Sequence, residues 1–178
     1  NAYVTGIGSN SRIVLWDTTL NKLDEDEILF IMAHEMAHYV EKHIYIGIAL
    51  YVLASLVGFW LTAKIMNYVI GRWGTLLRIP SLASVTSLPL FLCIISILGF
   101  ISSPVDNTVS RYLESRADAY AITMVQDKEA AVHTFQELSK ASLSQLNPPG
   151  LVKLFRYSHP TMLERISTLE EYEGEDSK

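Results

Sequence analysis

Residues 34–38 read His34-Glu35-Met36-Ala37-His38. On an α-helix, side chains at i and i+4 stack on one face, so both imidazoles can reach a single metal ion. Glu35 stands about 100° around the helix from His34, placed to reach a water on that metal rather than the metal itself. The residue types form one chemical set. Zinc brings the pKa of a bound water toward neutrality, and a carboxylate takes its proton as the water attacks a carbonyl. The spacing predicts one Zn2+ per chain, with His34 and His38 as ligands and Glu35 as general base.

A catalytic zinc site needs a third protein ligand. A nearby third histidine would stand at position 44, which is Ile44, and the glycine that such a pattern requires is Glu41. That arrangement is excluded. Glu41 itself reads as a solvated helix-end residue beside Lys42 and His43. The better candidate is Glu114, in Glu114-Ser115-Arg116-Ala117-Asp118. Glu114 and Asp118 also share a helix face. Glu114 completes a His2Glu set, and Asp118 accepts the free N–H of a ligand histidine, fixing its tautomer and raising its basicity. His43 and His133 read as structural. The single cysteine, Cys93, excludes an internal disulfide.

These residues must be carried by helices, and the sequence supplies them. Asp24 with Glu27 has capping-box spacing, acidic residues fill the first turn, and Ile28, Ile31 and Met32 follow at helical period, so a helix is predicted over 25–43. Before it, β-branched and aromatic residues flank a Gly/Ser/Asn cluster at 6–11 and predict a β-hairpin. Further on, the pattern predicts helices over 107–124, from Asp127 to about Leu146, and from about Ser158 to Glu171, with a break at Asn147-Pro148-Pro149-Gly150.

Between the two ligand-bearing helices the composition changes. The chain has 178 residues, 49% of them hydrophobic and 19% charged, with a net charge of -5 and a mean hydropathy of +0.23. Residues 44–105 carry only three of the charges, Lys64, Arg72 and Arg78. The charge-free run 44–63 is twenty residues, about 30 Å of helix and roughly one bilayer core. Residues 79–105 form a second such run, and Gly71-Arg72-Trp73-Gly74 between them suits a membrane interface. Two transmembrane helices are predicted, near 44–69 and 81–104. A hairpin returns the chain to its starting side, so 1–43 and 106–178 form one discontinuous domain around it. The charge balance gives no footprint for nucleic acid, which would need a basic face. The positive charges flanking the hairpin balance, so they do not orient it. A chain opening at Asn1 without an initiator Met reads as a fragment, a processed form or a trimmed piece.

Taken in order, these segments resemble the zinc-dependent, integral-membrane CAAX prenyl endopeptidases and the related HtpX-type heat-shock membrane proteases. The resemblance covers nearly the whole chain. It rests on Asn-Ala-Tyr-Val-Thr-Gly at 1–6, Arg-Ile-Val-Leu-Trp-Asp-Thr at 12–18, the His34–His38 motif, the Glu114/Asp118 pair and Ser158-His159-Pro160-Thr-Met-Leu-Glu-Arg165. The 12–18 and 157–165 runs favour the CAAX branch. The resemblance implies a mainly α fold with a small β-hairpin (α+β), a gluzincin-type metalloprotease core interrupted by a two-helix membrane hairpin. It implies that His159 stabilises the oxyanion and that Arg165 supports the site through a charge pair. It places Asn1, Ala2 and Tyr3 on an edge strand beside an extended substrate. It also implies a catalytic side facing the cytosol.

The expected activity is a membrane metalloendopeptidase acting on a protein or peptide substrate. Prenylated C-termini and damaged membrane proteins are the two substrate classes the resemblance allows. A zinc-stabilised scaffold is the non-catalytic rival, but an intact general base argues against it. A transporter-like hairpin would need acidic or histidine residues inside the apolar runs, and there are none.

Overall fold

The computed structural model describes residues 2–6, 8–143 and 145–172. Strands β1 (Ala2–Thr5) and β2 (Arg12–Leu15) pair antiparallel, with Ala2 opposite Leu15 and Thr5 opposite Arg12. Their connection depends on Gly6. Its φ is +93°, and a Cβ there would lie 2.3 Å from the Asn10 carbonyl oxygen, so only glycine fits the turn. A short helix α1 (Asp17–Leu20) follows, which periodicity did not predict.

Helix α2 (Glu25–Val40) begins where the capping signals place it. Glu27 accepts the Asp24 backbone N–H at 2.9 Å, and acidic residues at 25–27 face the positive end of the helix dipole. Its buried residues, Glu27, Phe30, Ile31, His34 and Ala37, lie three or four apart on one face. The helix stops at Val40 rather than at 43. Lys42 adopts a left-handed φ of 59°, and His43 opens the next helix.

That helix, α3 (His43–Leu77), is 35 residues long, about 52 Å. It runs past the expected end at 69, so Gly71-Arg72-Trp73-Gly74 lies in its last turns and not in the connection. It ends in a Schellman-type cap. The Ile79 N–H reaches back to the Gly74 carbonyl at 2.8 Å, with Arg78 at φ 56°.

Helix α4 (Leu88–Val125) merges two segments that the sequence pattern separates. Pro104 lies inside it and has no N–H for the carbonyl of Phe100. The Ser103 hydroxyl donates to that carbonyl at 2.8 Å, so the helix continues through the proline. Both α3 and α4 are long and apolar enough to cross a membrane. Helices α5 (Lys128–Ser142), α6 (Gly150–Arg156) and α7 (Met162–Glu170) complete the chain.

The fold is thus mainly helical with a small two-stranded antiparallel sheet. It divides into two compact units, Asn1–Ile44 with Asp106–Lys178, and Tyr45–Val105. The first unit has a core of Phe30, Ala121, Ile122, Ala131, Phe135 and Leu169, drawn from α2, α4, α5 and α7. Phe30 and Phe135 meet edge to face, centroids 5.5 Å apart. Fully buried Ala117, Ala121 and Ala131 leave room for close helix packing. This core fixes α2 against the last turns of α4, and the three candidate metal donors lie on those two helices.

Candidate metal centre

His34 and His38 stand one turn apart on α2, and their Nε2 atoms approach to 3.3 Å. Glu114 comes from α4. One of its carboxylate oxygens lies 3.4 Å from His34 Nε2 and the other 3.4 Å from His38 Nε2. Ligands at ~2.0–2.1 Å around a tetrahedral ion stand ~3.3–3.4 Å apart. The His34–His38 separation matches two corners of a tetrahedron, each imidazole meets one oxygen of the Glu114 carboxylate, and one donor atom from each residue lies within 4.8 Å of the others, so together they could hold one metal ion.

The other face of His34 is held by a buried ion pair. Its Nδ1 lies 2.8 Å from Asp118 Oδ1. Asp118 in turn takes two hydrogen bonds from Arg165, Nε to Oδ2 at 2.7 Å and Nη2 to Oδ1 at 2.5 Å. Arg165 is only 8% exposed, and its guanidinium lies 4.0 Å from the centroid of the Phe135 ring. A surface charge would be the usual reading of such a residue. Here the Thr161–Glu164 capping box starts α7 so that the next residue points inward.

The charges around the imidazoles differ. Burial works to discharge His34, but hydrogen bonds to Asp118 and Glu114 outweigh it and hold its pKa up to about 9. Burial and the neighbouring His34 push His38 down to about 4. One imidazole thus offers a free lone pair, and the other shares a proton with carboxylates at the place where a metal cation would neutralise them.

Glu35 faces a different side of α2. Burial raises its pKa, opposed by the charge of His34 and by a hydrogen bond from the backbone of Val4. That contact brings β1 alongside the carboxylate. Ala2 is half-buried and Tyr3 is exposed on the same strand, while Asn1 lies outside the described residues. His159 approaches from the α6–α7 connection, its Nε2 3.7 Å from Glu114 Oε1. Ser158 Oγ lies 2.9 Å from its Nδ1. Arg111 anchors this connection from α4, donating to the Tyr157 carbonyl at 2.7 Å. The structure thus gathers His34, His38, Glu114, Asp118, Arg165 and His159 in one place, with Glu35 and β1 at its side.

Sequence reasoning missed a second group. His43 is 6% exposed, and its Nδ1 lies 3.0 Å from His38 Nδ1. Its Nε2 meets Glu41 at 3.0 Å, and Glu41 accepts from Arg116 at 2.8 Å. The only sequence signal was the cluster Glu41-Lys42-His43 just after the motif.

Comparison with known proteins gives this geometry a context. The family model described as Peptidase family M48 matches residues 1–173. The uncharacterised metalloprotease YhfN of Bacillus subtilis is 53% identical over 174 residues, 98% of this chain and 41% of that protein. A CAAX prenyl protease 1 homolog of Arabidopsis thaliana is 33% identical over 184 residues, again 41% of its length. The crystal structure of S. mikatae Ste24p matches with a TM-score of 0.75 and 27% identity, over 95% of this chain and 41% of that one. The chain spans about two fifths of the length of these relatives. A family match over residues 1–173 and a fold shared along nearly all of the chain lead to one conclusion: the chain belongs to peptidase family M48, a metalloprotease family.

Proposed function

We propose that the protein is a membrane-embedded zinc metalloendopeptidase in which His34, His38 and Glu114 hold one Zn2+. The observation that carries this reading is the convergence of one donor atom from each residue within 4.8 Å, the two imidazole nitrogens 3.3 Å apart. Two imidazoles and a carboxylate suit zinc, and three protein ligands leave a position open for chemistry. When bound, zinc supplies Lewis acidity to a scissile carbonyl and to water.

The chain's own residues do the rest. Glu35 is the general base: burial raises its proton affinity, and it hands the proton on to the leaving amine. Asp118 fixes the His34 tautomer through Nδ1, and Arg165 holds Asp118 in place. His159 presents Nε2 toward the site, its other nitrogen engaged with Ser158, and binds negative charge as it develops on the carbonyl oxygen. Strand β1, with Ala2 and Tyr3, pairs with an extended substrate along its edge beside Glu35, and Asn1, outside the described residues, is assigned to the same substrate contact by its place in the sequence. Residues 1–43 and 106–178 form the protease domain, and 44–105 anchor it in the bilayer as a helical hairpin. The catalytic side faces the cytosol.

Similarity to a CAAX prenyl protease 1 homolog and to Ste24p favours a CAAX-type peptide as substrate. The test is zinc content and cleavage of a farnesylated CAAX peptide against an unmodified membrane protein. One zinc per chain, lost in His34→Ala and Glu114→Ala, and preference for the farnesylated peptide support the proposal. Zinc retained in both variants refutes the ligand set. Equal cleavage of the unmodified protein refutes the substrate class.

A further inference from the structure

The two imidazoles of the motif are not braced alike. His34 has a carboxylate behind its Nδ1, from Asp118 at 2.8 Å. Behind the Nδ1 of His38 stands another ring nitrogen, His43 Nδ1, at 3.0 Å. Two nitrogens at that distance cannot both carry a proton, and two lone pairs would repel, so one must donate to the other.

We infer that His43, oriented by Glu41 and Arg116, is the positioning residue for the ligand His38. The inference rests on the proposed ligand set, and the chemistry then leaves a single arrangement. His38 uses Nε2 for the metal, so its proton is on Nδ1. His43 Nδ1 must therefore accept, and the proton of His43 lies on Nε2. That N–H points at Glu41 Oε2, 3.0 Å away. The other oxygen of Glu41 accepts from Arg116 Nη2 at 2.8 Å. Each atom along the line has one role, and no alternative tautomer satisfies all three contacts.

The backbone is shaped for this contact. On a helix continued through position 43, His43 would point about 140° around the axis from His38. The left-handed Lys42 breaks α2 at that point and swings the His43 ring back to lie edge to face with His38, centroids 5.0 Å apart. His43 is buried while Arg116 is half exposed, so the inner link matters more than the outer one. Arg116 lies two residues beyond Glu114 on α4, so the helix that carries the third donor also carries the far end of this line. A histidine acting as a neutral acceptor braces its partner's orientation without adding the charge that Asp118 adds behind His34.

The test measures zinc affinity of the full chain by chelator competition, with long-range 1H–15N spectra of the zinc-loaded protein in micelles. His43→Leu should bind zinc about 10–100-fold more weakly. His43→Asn, which keeps an acceptor where Nδ1 stood, should recover most of that loss. The wild-type spectrum should show His43 as the Nε2–H tautomer. Wild-type zinc affinity in His43→Leu, no recovery in His43→Asn, or an Nδ1–H tautomer at His43 overturns the inference alone. A wild-type chain that binds no zinc overturns the ligand set, and this inference with it.

Discussion

Removing the guanidinium of Arg165 should destabilise the protein more than any surface charge would. Arg165 and Asp118 are both buried, with side chains 8% and 7% exposed, and their two hydrogen bonds run parallel. In Arg165→Leu the Asp118 carboxylate keeps His34 but loses the guanidinium countercharge where only 7% of its side chain reaches solvent. Breaking a buried pair from one side costs about 3–5 kcal/mol. At 2–4 °C per kcal/mol for a chain of this size, Tm should fall by roughly 6–20 °C. The assay is thermal unfolding in micelles, followed by circular dichroism, with metal removed. Arg165→Lys should fall in between, since the charge survives but the planar fork does not. The double variant Asp118→Leu/Arg165→Leu should be more stable than Arg165→Leu alone, because no charge is left stranded. A Tm within 2 °C of wild type for Arg165→Leu, or a double variant less stable than the single, would refute the reasoning.

Three further outcomes follow from the geometry. Glu27 raises the pKa of His133 above the ordinary histidine value, so the pair's contribution to stability is full below about pH 6.5 and declines as pH rises through the raised folded value. The gap between wild type and His133→Ala in denaturant unfolding should therefore be larger at pH 6 than at pH 9, and an unchanged gap contradicts it. Asp118→Ala should weaken zinc binding about 10–100-fold in chelator competition, and unchanged affinity would mean that His34 needs no brace. Gly6→Ala should lower Tm, because its Cβ collides with the Asn10 carbonyl and φ is positive; a neutral effect would show that the hairpin can shift.

How much of this could be read from sequence depended on whether the determinant was local. The start of α2 was legible because Asp24, the acidic first turn and the apolar period all agree. His34 with His38, and Glu114 with Asp118, were legible because i, i+4 spacing fixes a shared face. The continuity of α4 was not. Pro104 argues for a break, and the Ser103 hydroxyl meets the Phe100 carbonyl that the proline cannot. The inward position of Arg165 depends on a cap at Thr161 and on an aromatic face from α5, and neither is visible in its neighbours. His43 was hidden most deeply. A left-handed lysine carries no sequence signal, yet that one dihedral decides which way the histidine points.

The central claim is that Glu35 takes the proton from water at a zinc held by His34, His38 and Glu114. Its most direct test is peptide cleavage by zinc-loaded Glu35→Gln beside zinc-loaded wild type. The substitution keeps shape and leaves the three metal donors untouched, so zinc stays near one per chain. Loss of the general base should lower the cleavage rate by about 10²–10⁴-fold. Cleavage at the wild-type rate by the zinc-loaded variant would contradict the account.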